Sequence, residues 1–475
     1  MPARLLIIGL DGADPGLLAR WCAEGHLPAI QALQFRGCAG TLSTPPGLGD
    51  DAAWPCFYTG ESVGEHGRYF WKQLTPDGGR IAMSRGRLPA NPPFWSRISP
   101  DRRTAVIDLP KIPLWPNANG IQLCDWLVHG RDYSLPVSYP ADLADRIIGE
   151  FGAPPTSLCD EVVPPLDKNE IAGVIERLCR STAMKRDATC RYLAEGDWEL
   201  MISVFKEAHC VSHLFWHLID PAHPDYRAEA DATLDEPVKT VYQALDRAVG
   251  EIVEKAGPET SILLFTPLGM AVNITGDHLM APLAQAINRS HRASLGLIAR
   301  AAAATARTIT RRGRFRRWRE PFSLCRALPH NEVSGALRLN VVGRDPGGMV
   351  TAGSARHALC RQLARDLSEL RDAETRRGIV ERVLISQEVF AGRALDGLPD
   401  LFIVWKRDRP IGNAVSPQYG LIAAAPETHP RSGNHVAGGR YILAGPAKNR
   451  WQAGDVDITD LARLFLEAAC ARMAV

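Results

Sequence analysis

The sequence predicts an α/β fold with a central, mostly parallel sheet flanked by helices and carrying cap insertions. Three observations predict it. Short, wholly apolar runs rich in β-branched residues recur along the chain, longer helix-like stretches alternate with them, and the first such run ends on Asp11-Gly12.

Leu5 to Leu10 (Leu-Leu-Ile-Ile-Gly-Leu) is too short for a stable helix and apolar at every position, the pattern of a parallel strand buried on both faces. Its carboxyl end delivers Asp11. Leu17 to Arg36 follows as a helix-like stretch. The strand pattern returns at Thr104 to Leu109, Leu200 to Phe205, Ser261 to Phe265 and Leu401 to Trp405, and the helical one at Leu234 to Lys255. In such sheets ligands gather where the strands end and helix amino termini converge, so site residues are expected just after these runs.

Two stretches, about 130–195 and 278–330, do not fit the alternation and are read as cap insertions on a single domain spanning 1–475. The second contains Arg307, Arg311, Arg312, Arg314, Arg316, Arg317 and Arg319, a charge run read as a solvated cap helix rather than a nucleic-acid surface. No internal repeat and no linker rich in Pro, Gly or Ser divides the chain.

Composition narrows the function classes. The 475 residues are 45% hydrophobic and 23% charged, so a large packed core is available, and a net charge of +2 supplies no global field for nucleic acid or membrane. No apolar run approaches the roughly 20 residues of a membrane helix, and the segment after Met1-Pro2-Ala3-Arg4 is too short for a secretory core. A cytoplasmic protein is expected. The 11 cysteines are scattered without a CxxC pair, as reduced thiols would be.

Several motifs recur together. Gly9-Leu10-Asp11-Gly12-Ala13-Asp14 is followed by Glu24-Gly25-His26-Leu27-Pro28, by Ala53-Trp54-Pro55 with Thr59-Gly60, and by Glu65-His66-Gly67. Further on come Phe205 to Asp220 (FKEAHCVSHLFWHLID), Arg338-Leu339-Asn340 with Gly343-Arg344-Asp345-Pro346, Leu398-Pro399-Asp400-Leu401 and Ser432-Gly433-Asn434-His435. Together they resemble the type I phosphodiesterase and nucleotide pyrophosphatase family of the alkaline phosphatase superfamily. The resemblance implies an alkaline-phosphatase-like domain, two divalent metals beside a Thr or Ser nucleophile, and hydrolysis of phosphate, sulfate or phosphodiester links.

The residues at the implied site depart from that pattern. One metal's ligands, an Asp and a His four residues apart plus a distant His, fall on His209, His213 and His435, with His in place of Asp. The second metal's early Asp falls on Asp11, while its Asp-His pair after Phe265 is replaced by Thr266-Pro267-Leu268-Gly269. The nucleophile position falls on Asp50, a carboxylate instead of a hydroxyl, with Asp51 the alternative one residue on. Trp54 is expected to pack beneath the site, and Asn340 and Arg344 to serve a turn.

His209 and His213 at i and i+4 share one face of a helix expected over Glu207 to Ile219, and His435 would complete three imidazoles. Three neutral histidines leave a dication its full charge and an open position, which for zinc brings a water's pKa to about 7. One divalent transition metal is therefore expected, zinc first, with iron and manganese as alternatives. Asp50 is the candidate base or further ligand, and Asp11 a further ligand. Plainer readings stay open: a histidine-bearing amphipathic face that includes His217, a helix cap at Asp11, a polar loop at Asp50. A second metal would rest on too few ligands.

The expected function is metal-dependent hydrolysis of a phosphoester or phosphodiester-like bond in a small anionic metabolite. The alternatives are a repurposed biosynthetic metalloenzyme (lyase, isomerase or oxidative chemistry) and an inactive binding protein that uses the old cleft.

Overall fold

Nine strands form the main sheet, in the spatial order Val456–Asp457, Cys38–Ser43, Gly439–Ala444, Ser261–Thr266, Leu5–Leu10, Trp198–Phe205, Arg103–Ile107, Gly120–Cys124 and Val137–Tyr139. The computed structural model describes residues 5–75, 78, 80–83, 92–98, 100–115, 119–127, 136–153, 155, 166–226, 236–294, 323–330, 333–425, 431–450 and 454–470. At the centre, Leu5 lies opposite Leu200 on one side and Ser261 on the other, all parallel. Gly439–Ala444 runs antiparallel to both its neighbours, and Val137–Tyr139 closes one edge antiparallel.

Burial explains the unbroken apolar strands. Leu6, Ile8 and Leu10 point into a core with Trp21, Ile30, Val174 and Val241, whose helices Pro15–Ala23, Pro28–Arg36, Lys168–Glu195 and Glu236–Ala256 cover one face. Ile7 points the other way, toward Trp54, Phe57 and Leu461 of helices Asp50–Thr59 and Ile458–Cys470. Gly9 is small for a reason. A Cβ there would sit 2.8 Å from the Trp54 ring and 3.0 Å from Val204, so the strand could not pass over Trp54 with a side chain.

Four sequence readings change in the structure. Leu17 to Arg36 is two helices, Pro15–Ala23 and Pro28–Arg36, because Gly25 turns at φ +79 and Pro28 starts anew. Leu401–Trp405 lies in a second, antiparallel sheet with Cys325–Leu328, Ser334–Leu339 and Val380–Ile385. That strand is also buried on both faces, which is why its sequence imitates a central parallel strand.

Of the stretch 130–195 expected as a cap, the described part belongs to the main layers. Val137–Tyr139 extends the sheet, and Lys168–Glu195, capped by Asp167 and Glu170, buries Val174, Ile175, Met184, Ala188 and Leu193 in the core. In 278–330, helix Asp277–Ser294 packs on the smaller sheet through Leu279, Leu283 and Ile287. Arg307 to Arg319 lie outside the described residues. Among the described residues, no helix is long and apolar enough to cross a membrane.

Candidate metal centre

The site stands at the carboxyl ends of the central strands. Asp11 prolongs Leu5–Leu10 by donating its N–H to the Phe205 carbonyl at 2.8 Å. Its carboxylate is fully buried: Oδ1 accepts the Trp54 indole N–H at 2.9 Å, and Oδ2 lies 3.3 Å from Nδ1 of His209. Trp54 thus packs beneath the site and orients one of its carboxylates. Gly12, at φ +61, lets the next helix approach, since a Cβ there would meet the His209 backbone at 2.8 Å.

That helix, Glu207–Phe215, begins immediately after the Trp198–Phe205 strand and carries His209 and His213. Its first residue is held from two sides, by the Ser181 hydroxyl at 2.6 Å and the Lys206 N–H at 2.9 Å. Below it, Asp108 pairs with Lys185 at 2.9 Å and Lys206 at 3.2 Å in full burial. The helix tightens into a 3-10 turn at Trp216–Leu218, earlier than the expected Ile219. His217 consequently faces Ser432, whose hydroxyl lies 2.8 Å from its Nδ1, and stands apart from the other two histidines.

His435 arrives on the strand Gly433–Val436, paired antiparallel with Gly269–Val272. The strand is fastened to the helix through the chain itself. The Ser432 N–H donates to the His213 carbonyl at 2.8 Å, and Nδ1 of His213 lies 2.6 Å from the Gly433 carbonyl. A carbonyl only accepts, so His213 carries its proton on Nδ1 and presents the Nε2 lone pair to the cluster. That Nε2 is 3.3 Å from Nε2 of His435, and the three ring centroids are 4.4 to 4.9 Å apart.

Electrostatics keep the His213 and His435 rings neutral. Burial, with the neighbouring Arg431 and the other two rings, holds His213 well below the ordinary imidazole range. Burial first, then His209, lowers His435 to about 3 against the pull of Asp50 and Asp11. For Asp11, burial opposes ionisation, but attraction and hydrogen bonding to His209 bring its pKa below the usual value. The ligand atoms of His209, His213 and His435 all lie within 4.8 Å of one another, as do those of Asp11, Asp50 and His209. Imidazoles converging in a buried site, one with its proton directed outward to a backbone carbonyl, suit a divalent transition metal.

Asp50 opens helix Asp50–Thr59 and places Oδ1 3.7 Å from Nε2 of His435. Its other oxygen faces Lys111, whose Nζ is 3.5 Å away and 3.0 Å from Asp51. Burial raises Asp51 to about 6 despite the opposing pull of Lys111. Sequence reasoning missed Lys111. Its signal was positional, a cation directly after the Thr104 to Leu109 run, where site residues are expected. On the far side, Leu268 is 1% exposed within the apolar core, so Thr266-Pro267-Leu268 offers the site no carboxylate or imidazole. Asn340 and Arg344 serve a turn: the Asn340 amide donates to the Ser323 and Gly347 carbonyls, and Arg344 pairs with Asp345 and Asp400.

A model of the type I phosphodiesterase / nucleotide pyrophosphatase family matches residues 5–408. The chain belongs to this family. Among solved structures, phosphonoacetate hydrolase from Sinorhizobium meliloti 1021 in complex with phosphonoformate is similar, at a TM-score of 0.54 and 14% identity, over 98% of this chain and 96% of that one. Murine ectonucleotide pyrophosphatase / phosphodiesterase 5 is similar at 0.50 and 11%, over 98% and 95%. These likenesses establish the shared fold. Comparison with curated protein sequences finds no match. Membership makes the protein an enzyme-family member of phosphoester-hydrolase type, and in its buried site three histidines stand together beside Asp11 and Asp50, with Lys111 against Asp50 and Asp51.

Proposed function

We propose that this phosphodiesterase-family protein is a mononuclear metal-dependent hydrolase of a phosphoester or phosphodiester-like bond in a small anionic substrate. The observation that carries the proposal is the convergence of His209, His213 and His435, all buried, with ligand atoms within 4.8 Å. Zinc is the metal this donor set suits first, with iron next. Bound there, it would supply Lewis acidity toward a phosphoryl oxygen and acidity to water.

The chain's own residues do the rest. Asp11, fixed by the Trp54 indole, lies 3.3 Å from Nδ1 of His209, and the Gly433 carbonyl orients the His213 ring through its Nδ1. Asp50 stands beside the histidines as the group that accepts a proton from the attacking water. Its own attack on a phosphodiester would set anion against anion, so the base role is the better use of this carboxylate. The small charged partners named in the related structures, phosphonoformate among them, are consistent with a small anionic substrate here.

A second reading, binding without turnover, draws on Pro267 and Leu268, which leave one side of the old cleft without ligands. Hydrolysis of bis(p-nitrophenyl) phosphate and p-nitrophenyl phosphate by metal-loaded protein separates the two. Turnover that disappears in His213→Ala supports the hydrolase; no turnover of either ester with one metal bound supports binding alone.

A further inference from the structure

The carboxylate side of the cleft carries a positive charge of its own. Lys111 follows Leu109-Pro110 at the carboxyl end of the Arg103–Ile107 strand and adopts φ +61, a conformation a lysine rarely takes. The turn is fastened at its carbonyl: Arg68 donates to it at 2.9 Å and the Tyr58 hydroxyl at 3.3 Å. Tyr58 belongs to helix Asp50–Thr59, so the helix that presents Asp50 and Asp51 also fixes the backbone of the lysine facing them. The resulting Nζ lies 3.0 Å from Asp51 and 3.5 Å from Asp50, on a side chain only 18% exposed.

Asp50 is thereby bracketed. One oxygen is 3.7 Å from His435, on the histidine side, and the other faces the ammonium. Asp11, Asp50 and Asp51 are all at least nine-tenths buried, and three carboxylates in such a place require positive charge nearby. At Thr266-Pro267-Leu268, where the family pattern places an Asp-His pair, no ligand remains, so a second dication would have to rest on Asp11 and Asp50 with His209, which the three-histidine site already uses. We propose that the Lys111 ammonium is a permanent substitute for a second metal ion, compensating Asp50 and Asp51 and placing a fixed positive charge opposite the three-histidine pocket.

This inference rests on the three-histidine reading and makes a separate claim about the opposite wall. An ammonium is a compact point charge with three donors, able to hold two carboxylates and to donate to an anionic oxygen of substrate, but it cannot acidify a water as a dication does. One wall of the cleft then supplies metal chemistry and the other supplies charge alone.

The test loads chelator-stripped protein with zinc, titrates it with Mn2+, and follows binding by loss of the free-ion electron paramagnetic resonance signal. Mn2+ suits carboxylate oxygens. The expected result is no Mn2+ site in the wild-type chain or in Lys111→Arg, and one per chain in Lys111→Met, abolished again when Asp50→Asn is added. Lys111→Gln is the second charge-removing variant, in case the methionine disturbs folding. A tight Mn2+ site in the wild-type chain overturns the inference, and so does the absence of a new site in both charge-removing variants. If the wild-type chain takes up no zinc, the three-histidine reading fails, and the inference built on it fails too.

Discussion

The two walls of the cleft have diverged from the family's two-metal pattern in opposite directions. On the histidine wall, the position implied for Asp carries His209, so ligand capacity is kept while negative charge is removed. On the carboxylate wall, the Asp-His pair has given way to Pro267-Leu268, and charge is retained through Asp11, Asp50 and Lys111 while ligand capacity falls. On the proposed reading, metal binding and charge balance are separable and fall to different walls of the site.

The largest expected effect comes from the histidine wall. Loss of an orienting partner alone typically costs 10- to 100-fold in metal affinity or activity, so His213→Ala, which removes a proposed ligand, should lower kcat/KM on bis(p-nitrophenyl) phosphate by more than about 100-fold. Asp50→Asn should come next. It keeps the histidines in place and removes the proposed base, so steady-state kinetics should show kcat down by about 100-fold with zinc content unchanged. A metal loss in Asp50→Asn would blur the division between the walls.

A smaller effect is expected at Gly12. Its φ of +61 and the 2.8 Å approach of the His209 backbone leave no room for a methyl group, so Gly12→Ala should cost about 1–3 kcal/mol in denaturant unfolding and weaken zinc retention. A pH effect is expected in the metal-free protein. His435 titrates at about 3 in the fold against the ordinary 6.5, so the unfolded chain takes up a proton that the folded chain refuses. Its contribution is therefore complete above about pH 6.5 and is lost as pH falls toward 3. Thermal unfolding of apo His435→Asn should depend less steeply on pH across that window than the unsubstituted apo protein.

Much of the fold was legible because it depends on burial. Leu5 to Leu10 could only be a strand covered on both faces, and its end located Asp11. The same logic misplaced Leu401–Trp405: burial on both faces identifies a strand without saying which sheet it joins. It also misread Lys168–Glu195 as cap, because a helix inserted before its strand interrupts the alternation while packing in the ordinary layer. The cluster of His209, His213 and His435 was legible through helical spacing and motif position. Lys111 was not, since its role arises from a turn at φ +61 closing on a helix that begins 61 residues earlier, at Asp50. Its position after the Thr104 to Leu109 run marks a cation near the strand ends, but local pattern carries no trace of the closure.

The most direct test of the central claim is elemental analysis, by inductively coupled plasma mass spectrometry, of protein purified without chelator, with His213→Ala alongside. The account predicts one equivalent of a transition metal per chain, zinc foremost, absent from the variant. Two equivalents in the unsubstituted protein, or one equivalent that survives the loss of His213, would contradict it.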